Sequence, residues 1–157
     1  MTFSITARCP DTGQLGIAIS SSSIAVGARC PWLLPGVGAV STQNITLPSL
    51  GPDTLALMEQ GLAPAEALDK VLTRNGYSQY RQITAIDHLG RTAHFSGAQT
   101  LGTHNAVSGE HCVAAGNMLA ERSVIEAMVE AFEHGEGQLA DRLLAAMHAA
   151  IAAGGEA

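Results

Sequence analysis

Lysine is almost missing from this chain. Lys70 is the only one in 157 residues, and lysine and arginine together number 8 against 14 acidic residues, a net charge of −6. That balance leaves no basic face to follow a polyanion, so nucleic acid is not an expected partner. Charged residues are also sparse at 14%, against 46% apolar, which excludes a disordered chain and indicates a globular one. No apolar run reaches the roughly 18 residues that a membrane-spanning helix needs, and no membrane partner is expected. The opening Met1-Thr2-Phe3-Ser4 has neither the basic nor the apolar region of a secretory signal, so a cytoplasmic location is expected. Cysteine is limited to Cys9, Cys30 and Cys112, an odd number without CxxC spacing, so free thiols are expected. The histidines form no His-x-x-x-His pair and join no cysteine in a ligand pattern, so no metal is expected. Gly36-Val37-Gly38 fits no phosphate-binding glycine pattern, and no cofactor is expected.

What is present reads as one domain over residues 1–157, long enough to bury a real core. From Thr2 to Arg8, Phe3, Ile5 and Ala7 alternate with Thr2, Ser4 and Thr6, which predicts a half-buried strand. Pro10-Asp11-Thr12-Gly13 has turn chemistry, and Leu15, Ile17 and Ile19 alternate again, so residues 2–20 read as a hairpin. Residues 24–35 read as irregular. Val37 to Thr42 reads as a buried strand with a close backbone neighbour. Ser49 or Gly51, with Pro52 just inside, opens a helix carrying Leu55, Met58 and Leu62 on one face. Pro64 restarts it, and Asn75-Gly76 stops it. Residues 81–87 and 91–96 form a second hairpin. His111 to Ala115 is a further strand, followed by helices over 120–133 and 139–153, the latter with Leu139, Leu143, Met147, Ala150 and Ile151 inward. Hairpins and helix pairs alternate, so two antiparallel sheets face to face, each covered by a helix pair, satisfy the pattern.

The chemistry centres on the N-terminus. A small second residue commonly permits removal of the initiator methionine, which leaves Thr2 with a free α-amine beside its own hydroxyl. An α-amine titrates at about 7.7–8.0, so one residue supplies both nucleophile and general base. The bland alternative is that many chains begin Met-Thr without catalytic purpose. Gly116-Asn117 follows a strand and precedes a helix. Backbone N–H groups at a helix start, with the Asn117 amide, suit an oxyanion; a plain strand-to-helix turn is the competing reading. The polar tract Ser20 to Ser23 suits polar substrate atoms or the backbone groups of a strand leaving its sheet. Arg29 beside Cys30 is a cation that lowers a thiol pKa, although a small packed thiol is the simpler account. His94 and His111, both assigned to strands, are candidates to line a cleft.

Thr2-Phe3-Ser4-Ile5, Arg8, Thr12-Gly13 with Leu15-Gly16, Ala25-Val26-Gly27-Ala28 with Pro31-Trp32, Gly36 to Val40 with Thr42-Gln43, and Gly116-Asn117-Met118-Leu119 occur in one order along nearly the whole chain. That succession resembles a bacterial family of uncharacterised proteins, the domain of unknown function 1028 family, described as N-terminal-nucleophile (Ntn) hydrolase-like. The resemblance implies an α+β four-layer αββα sandwich of the Ntn hydrolase type. It implies that Thr2 is the catalytic position and that Asn117 approaches it. It further implies that Ser20, Ser21, Ser22, Arg29 and Gly116 line the substrate cleft. The chain departs from proteasome-type enzymes in having no lysine on an early strand, with Arg29 as an imperfect substitute. Relatives usually continue with further sheet-forming sequence, so the chain is expected to lack a C-terminal extension.

The expected function is hydrolysis of a small-molecule amide, ureide or related C–N bond, with Thr2 as nucleophile after Met1 removal. The alternative is a catalytically inert small-molecule-binding protein on the same fold. The expected partners are a small-molecule substrate and further copies of the chain, as a homodimer or higher homo-oligomer.

Overall fold

The computed structural model describes residues 1–157. Eight strands and four helices follow one another as β1 (Thr2–Arg8), β2 (Leu15–Ser21), β3 (Pro31–Leu34), β4 (Gly38–Asn44), α1 (Leu50–Glu59), α2 (Pro64–Arg74), β5 (Arg81–Asp87), β6 (Thr92–Ser96), β7 (Asn105–Gly109), β8 (Cys112–Asn117), α3 (Ser123–Glu133) and α4 (Leu139–Ala152). The strands form two four-stranded sheets in the orders β2-β1-β8-β7 and β3-β4-β5-β6. Every pairing is antiparallel. The α+β class and both predicted hairpins match this arrangement.

Each sheet carries a helix pair on one face. Phe3, Ile5 and Ala7 of β1 join Val124, Met128 and Phe132 of α3 and Leu143 and Ala146 of α4 in one apolar cluster. Val40 of β4 and Ile83 and Ala85 of β5 join Leu55 and Met58 of α1 and Leu68 and Val71 of α2 in another. The remaining faces of the two sheets meet each other. Thr6 Oγ1 of β1 lies 3.1 Å from Thr84 Oγ1 of β5, and Ser4 Oγ donates to Gln43 Oε1 of β4 at 2.8 Å. The apolar face of each sheet is therefore spent on its helices, and the sheets contact one another largely through small and polar side chains.

This corrects the reading of β1 as half-buried. Thr2, Ser4 and Thr6 alternate with apolar residues as a solvent-facing set would, yet all three are buried, because the second sheet covers them. Two strands escaped the sequence reading. β3 lies in the stretch expected to be irregular, where two prolines and a glycine mask a short edge strand. β7 is the edge strand beside β8 and is only half-buried, so it lacks a strong apolar alternation. Leu62 falls after the end of α1, and Ile151 points outward on α4 with 64% of its surface exposed. The close approach expected at Gly36 to Gly38 is real at Gly38. A Cβ there would sit 2.4 Å from both the Ile86 carbonyl oxygen and Met58 Cε.

Candidate functional site

β1 is a central strand, paired with β2 on one side and β8 on the other, so both neighbours hold its first residue. Thr2 pairs with Ser21 of β2 and with Asn117 of β8, which puts the three side chains in one row on the face turned to the second sheet. Thr2 is 7% exposed and Asn117 1%. The Thr2 hydroxyl lies 2.9 Å from Ser21 Oγ and 2.7 Å from the Met1 carbonyl oxygen, and Ser21 Oγ lies 2.6 Å from that same carbonyl. Two hydroxyl protons serve these three contacts, so the Met1 carbonyl is held at the expense of a full Thr2–Ser21 bond. Ser21 Oγ also accepts from the Ser23 backbone N–H at 3.1 Å, which fixes its orientation. The Met1 ammonium donates to Ser22 Oγ at 3.2 Å.

The other sequence candidates divide. Ser20 pairs with Phe3 and so lies on the helix-facing side, opposite Thr2. Arg29 donates to Ser23 Oγ, at the far end of the serine tract, and its Nε is buried without a partner. Gly116 also pairs with Phe3. Its missing side chain serves packing, since a Cβ would stand 2.8 Å from Leu119 Cδ2 and 2.9 Å from Ile125 Cδ1. Gly116 and Asn117 end β8 and do not open a helix; Met118–Arg122 separate them from α3. The backbone N–H groups of Met118, Leu119 and Ala120 are spent on the carbonyls of Leu101, Thr103 and Gly155. The expected oxyanion donors at a helix start are therefore absent at this point, and the Asn117 side chain is what remains. Its Nδ2 donates to Gln82 Oε1 at 3.1 Å. An amide nitrogen has two hydrogens, so the second stays unspent.

Gln82 is the residue the sequence reading missed. From β5 it reaches across to the first sheet, donating from Nε2 to the Gly116 carbonyl and to Ser96 Oγ, each at 3.0 Å. Gln43 Nε2 donates to Gln82 Oε1 at 2.9 Å and to the Ala115 carbonyl at 3.1 Å. Ser4, Ser41, Gln43, Gln82 and Asn117 thus form one buried network running from the middle of β1 to the row of Thr2. The available signal was a polar set in β1 facing polar sets at Ser41/Gln43 and Gln82/Thr84, each alternating with apolar residues.

The thiols do not build a second centre. Cys30 is buried, and burial pushes its pKa up against the opposing pull of Arg29, so the expected activation is reversed. Cys112 is pushed up to about 12 by burial, with the Glu133 charge adding to it. Cys9 is held below the ordinary thiol value by hydrogen bonding to Thr12. His94 and His111 do not share a cleft: His94 lies on β6, while His111 occupies the β7–β8 turn at a positive φ of 57°. No group of three or more histidine, cysteine, aspartate or glutamate side chains is placed to hold a metal ion, and no helix is long and apolar enough to cross a membrane.

The sequence model of a family of unknown function (DUF1028) matches residues 2–157. The chain belongs to that family. It is similar to the crystal structure of protein SPO2555 from Silicibacter pomeroyi, of the same family, with 34% identity and a TM-score of 0.94, covering 97% of this chain and 70% of that one. No curated protein matches it.

Proposed function

We propose that this family member is an N-terminal-nucleophile hydrolase that cleaves a small-molecule amide, ureide or related C–N bond through Thr2. The observation that carries the reading is the position of Thr2. It is the first residue of a strand paired on both sides, with its hydroxyl held against Ser21 Oγ of one neighbouring strand and Asn117 as its register partner on the other. Two facing sheets, each with an outer helix pair, also suit the four-layer αββα sandwich of such enzymes.

Removal of Met1 takes away the carbonyl that both hydroxyls hold and leaves the Thr2 α-amine free. The amine accepts the Thr2 hydroxyl proton as Oγ1 bonds to the substrate carbonyl carbon. The oxygen that becomes negative takes the unspent Asn117 N–H, a donor already fixed by Gln82. Collapse of the tetrahedral intermediate breaks the C–N bond, and the protonated α-amine returns its proton to the leaving nitrogen. Water then attacks the Thr2 ester, releasing the acid and restoring the hydroxyl. Ser21 orients the nucleophile, and Ser22, which holds the Met1 ammonium, is released when Met1 leaves.

The test is the intact mass of the purified protein followed by an amide-library screen. A mass short by one methionine, with turnover that is lost in Thr2→Ala and partly kept in Thr2→Ser, supports the proposal. Full turnover by Thr2→Ala refutes it. Retention of Met1 in every molecule removes the proposed base and favours the inert small-molecule binder, for which the hold of Ser21 and Thr2 on the Met1 carbonyl is the motivating contact.

A further inference from the structure

β6 and β7 are the edge strands of the two sheets and lie against one another on the same flank of the molecule. At one end of this seam they are clipped together by Thr92 Oγ1, which donates to Ser108 Oγ at 3.0 Å. Two residues further along, the facing side chain is the small Ala106, and the seam opens into a cavity of about 380 Å³. Its walls carry His94 and Ser96 from β6, Asn105 from β7, His104 just before β7, and Arg122 at the start of α3.

This wall has an unusual charge for its setting. The chain has a net charge of −6, yet no aspartate or glutamate lines the cavity. The molecule's one ion pair joins Arg91 and Asp87, so the Arg122 guanidinium has no carboxylate partner. The His104 ring is oriented by the contact of Nδ1 with the Gly102 carbonyl at 3.0 Å, which leaves Nε2 without a partner. His94 adds a second imidazole from β6, held below its ordinary pKa by partial burial. The supporting groups are fixed in advance. Ser96 Oγ accepts from Gln82, and the Asn105 amide donates to the Arg122 carbonyl at 3.1 Å, tying the α3 start to β7. A guanidinium, two imidazoles and fixed polar groups converging from three elements, without a counter-charge, suit a bound oxyanion.

We propose that the cavity between β6 and β7 binds the oxyanion group of a small molecule, a carboxylate or a phosphate monoester, with Arg122 and His104 as its principal ligands. The site stands independently of any chemistry at Thr2. His104 immediately precedes Asn105, whose partner on β8 is Gly116, so it lies beside Asn117. The oxyanion site therefore flanks the row that holds Thr2, separated from Thr2 by the width of β8.

Calorimetric titration of the full chain with inorganic phosphate, and separately with succinate, at constant ionic strength tests this. At least one probe is expected to saturate at one site per chain, and the tighter one identifies the class of group recognised. Arg122→Gln is expected to weaken binding about tenfold or more, the loss of one charged hydrogen-bonding partner. Ala106→Met, which fills the cavity without altering charge, is expected to do the same. Arg74→Gln, which removes an equal charge from an exposed position on α2, is expected to leave affinity unchanged. Failure of both probes to saturate overturns the proposal. So does unchanged affinity in Arg122→Gln, or an equal loss in Arg74→Gln, which would reduce binding to general electrostatics.

Discussion

Replacing Gln82 by Met tests whether the polar layer between the sheets holds the molecule together or merely fills space. Methionine keeps the length and most of the volume of glutamine and removes every hydrogen bond. Gln82 is fully buried and joins Asn117, Gln43, Ser96 and the Gly116 carbonyl. Gln43 keeps its bond to the Ala115 carbonyl, and Ser96 is only partly buried, so both tolerate the loss. The Asn117 Nδ2 loses its partner inside the protein, and the Gly116 carbonyl loses a donor. Each orphaned buried group costs about 1–3 kcal/mol. The thioether recovers part of this through apolar burial. The net expectation is a destabilisation of roughly 3 kcal/mol, which for a domain of this size lowers Tm by about 6–12 °C. Urea unfolding followed by circular dichroism supplies the free energy, and a thermal scan supplies Tm. Gln43→Met and the double variant close a cycle, in which a coupling of about 0.5–3 kcal/mol is expected for directly bonded partners. A Gln82→Met protein within about 0.5 kcal/mol of the parent, the range of ordinary surface substitutions, would refute the reasoning and make the layer incidental.

Four further outcomes are expected. Gly38→Ala places a methyl against a backbone carbonyl that cannot rotate away, so it should destabilise by about 1–3 kcal/mol as an overpacked site, measured by the same urea titration. In the native protein at neutral pH, iodoacetamide with peptide mass mapping should modify Cys9 first and Cys112 last, following the lowered and raised thiol pKa values and their exposure. The pKa of Cys112 is raised in the fold from an ordinary 9.0 to about 12, so the native state binds the proton more tightly than the unfolded one. Stability from this group is complete below pH 9 and declines as pH climbs from 9 toward 12, and Cys112→Ala should flatten that decline in pH-dependent melting. Ile151→Ser, on the exposed side of α4, should leave stability within about 0.5 kcal/mol, in contrast to Phe132→Ala on α3, which empties a buried site at about 3–5 kcal/mol.

Elements with strong local signals could be read from the sequence. The β1–β2 hairpin follows from alternation around a Pro-Asp-Thr-Gly turn, and Gly13 does take a positive φ of 73°. Pro64 and Asn75 bound α2 as the helix rules require. Local pattern cannot say what covers a polar face, so the alternation in β1 reads as a half-buried strand although Gln43 and Thr84 cover Ser4 and Thr6. The same limit hid β7 and Gln82, whose importance comes from partners on other strands. Among the candidate site residues, the strand register brings Thr2, Ser21 and Asn117 together, and Ser22 lies at the terminus. Ser20 and Gly116 face the other way by the same two-residue period that aligned their neighbours.

The separation of two apolar clusters by a polar layer also has a mechanical consequence. Greasy surfaces pressed together slide, because each contact is replaced by a similar one after a small shift. Hydrogen bonds such as Thr6 to Thr84 and Ser4 to Gln43 lose most of their strength within a fraction of an ångström of misalignment. The two sheets therefore behave as plates joined by pegs. They resist shear as a unit, and a force along the strands would shear the pegs together before either helix-backed half lost its own core.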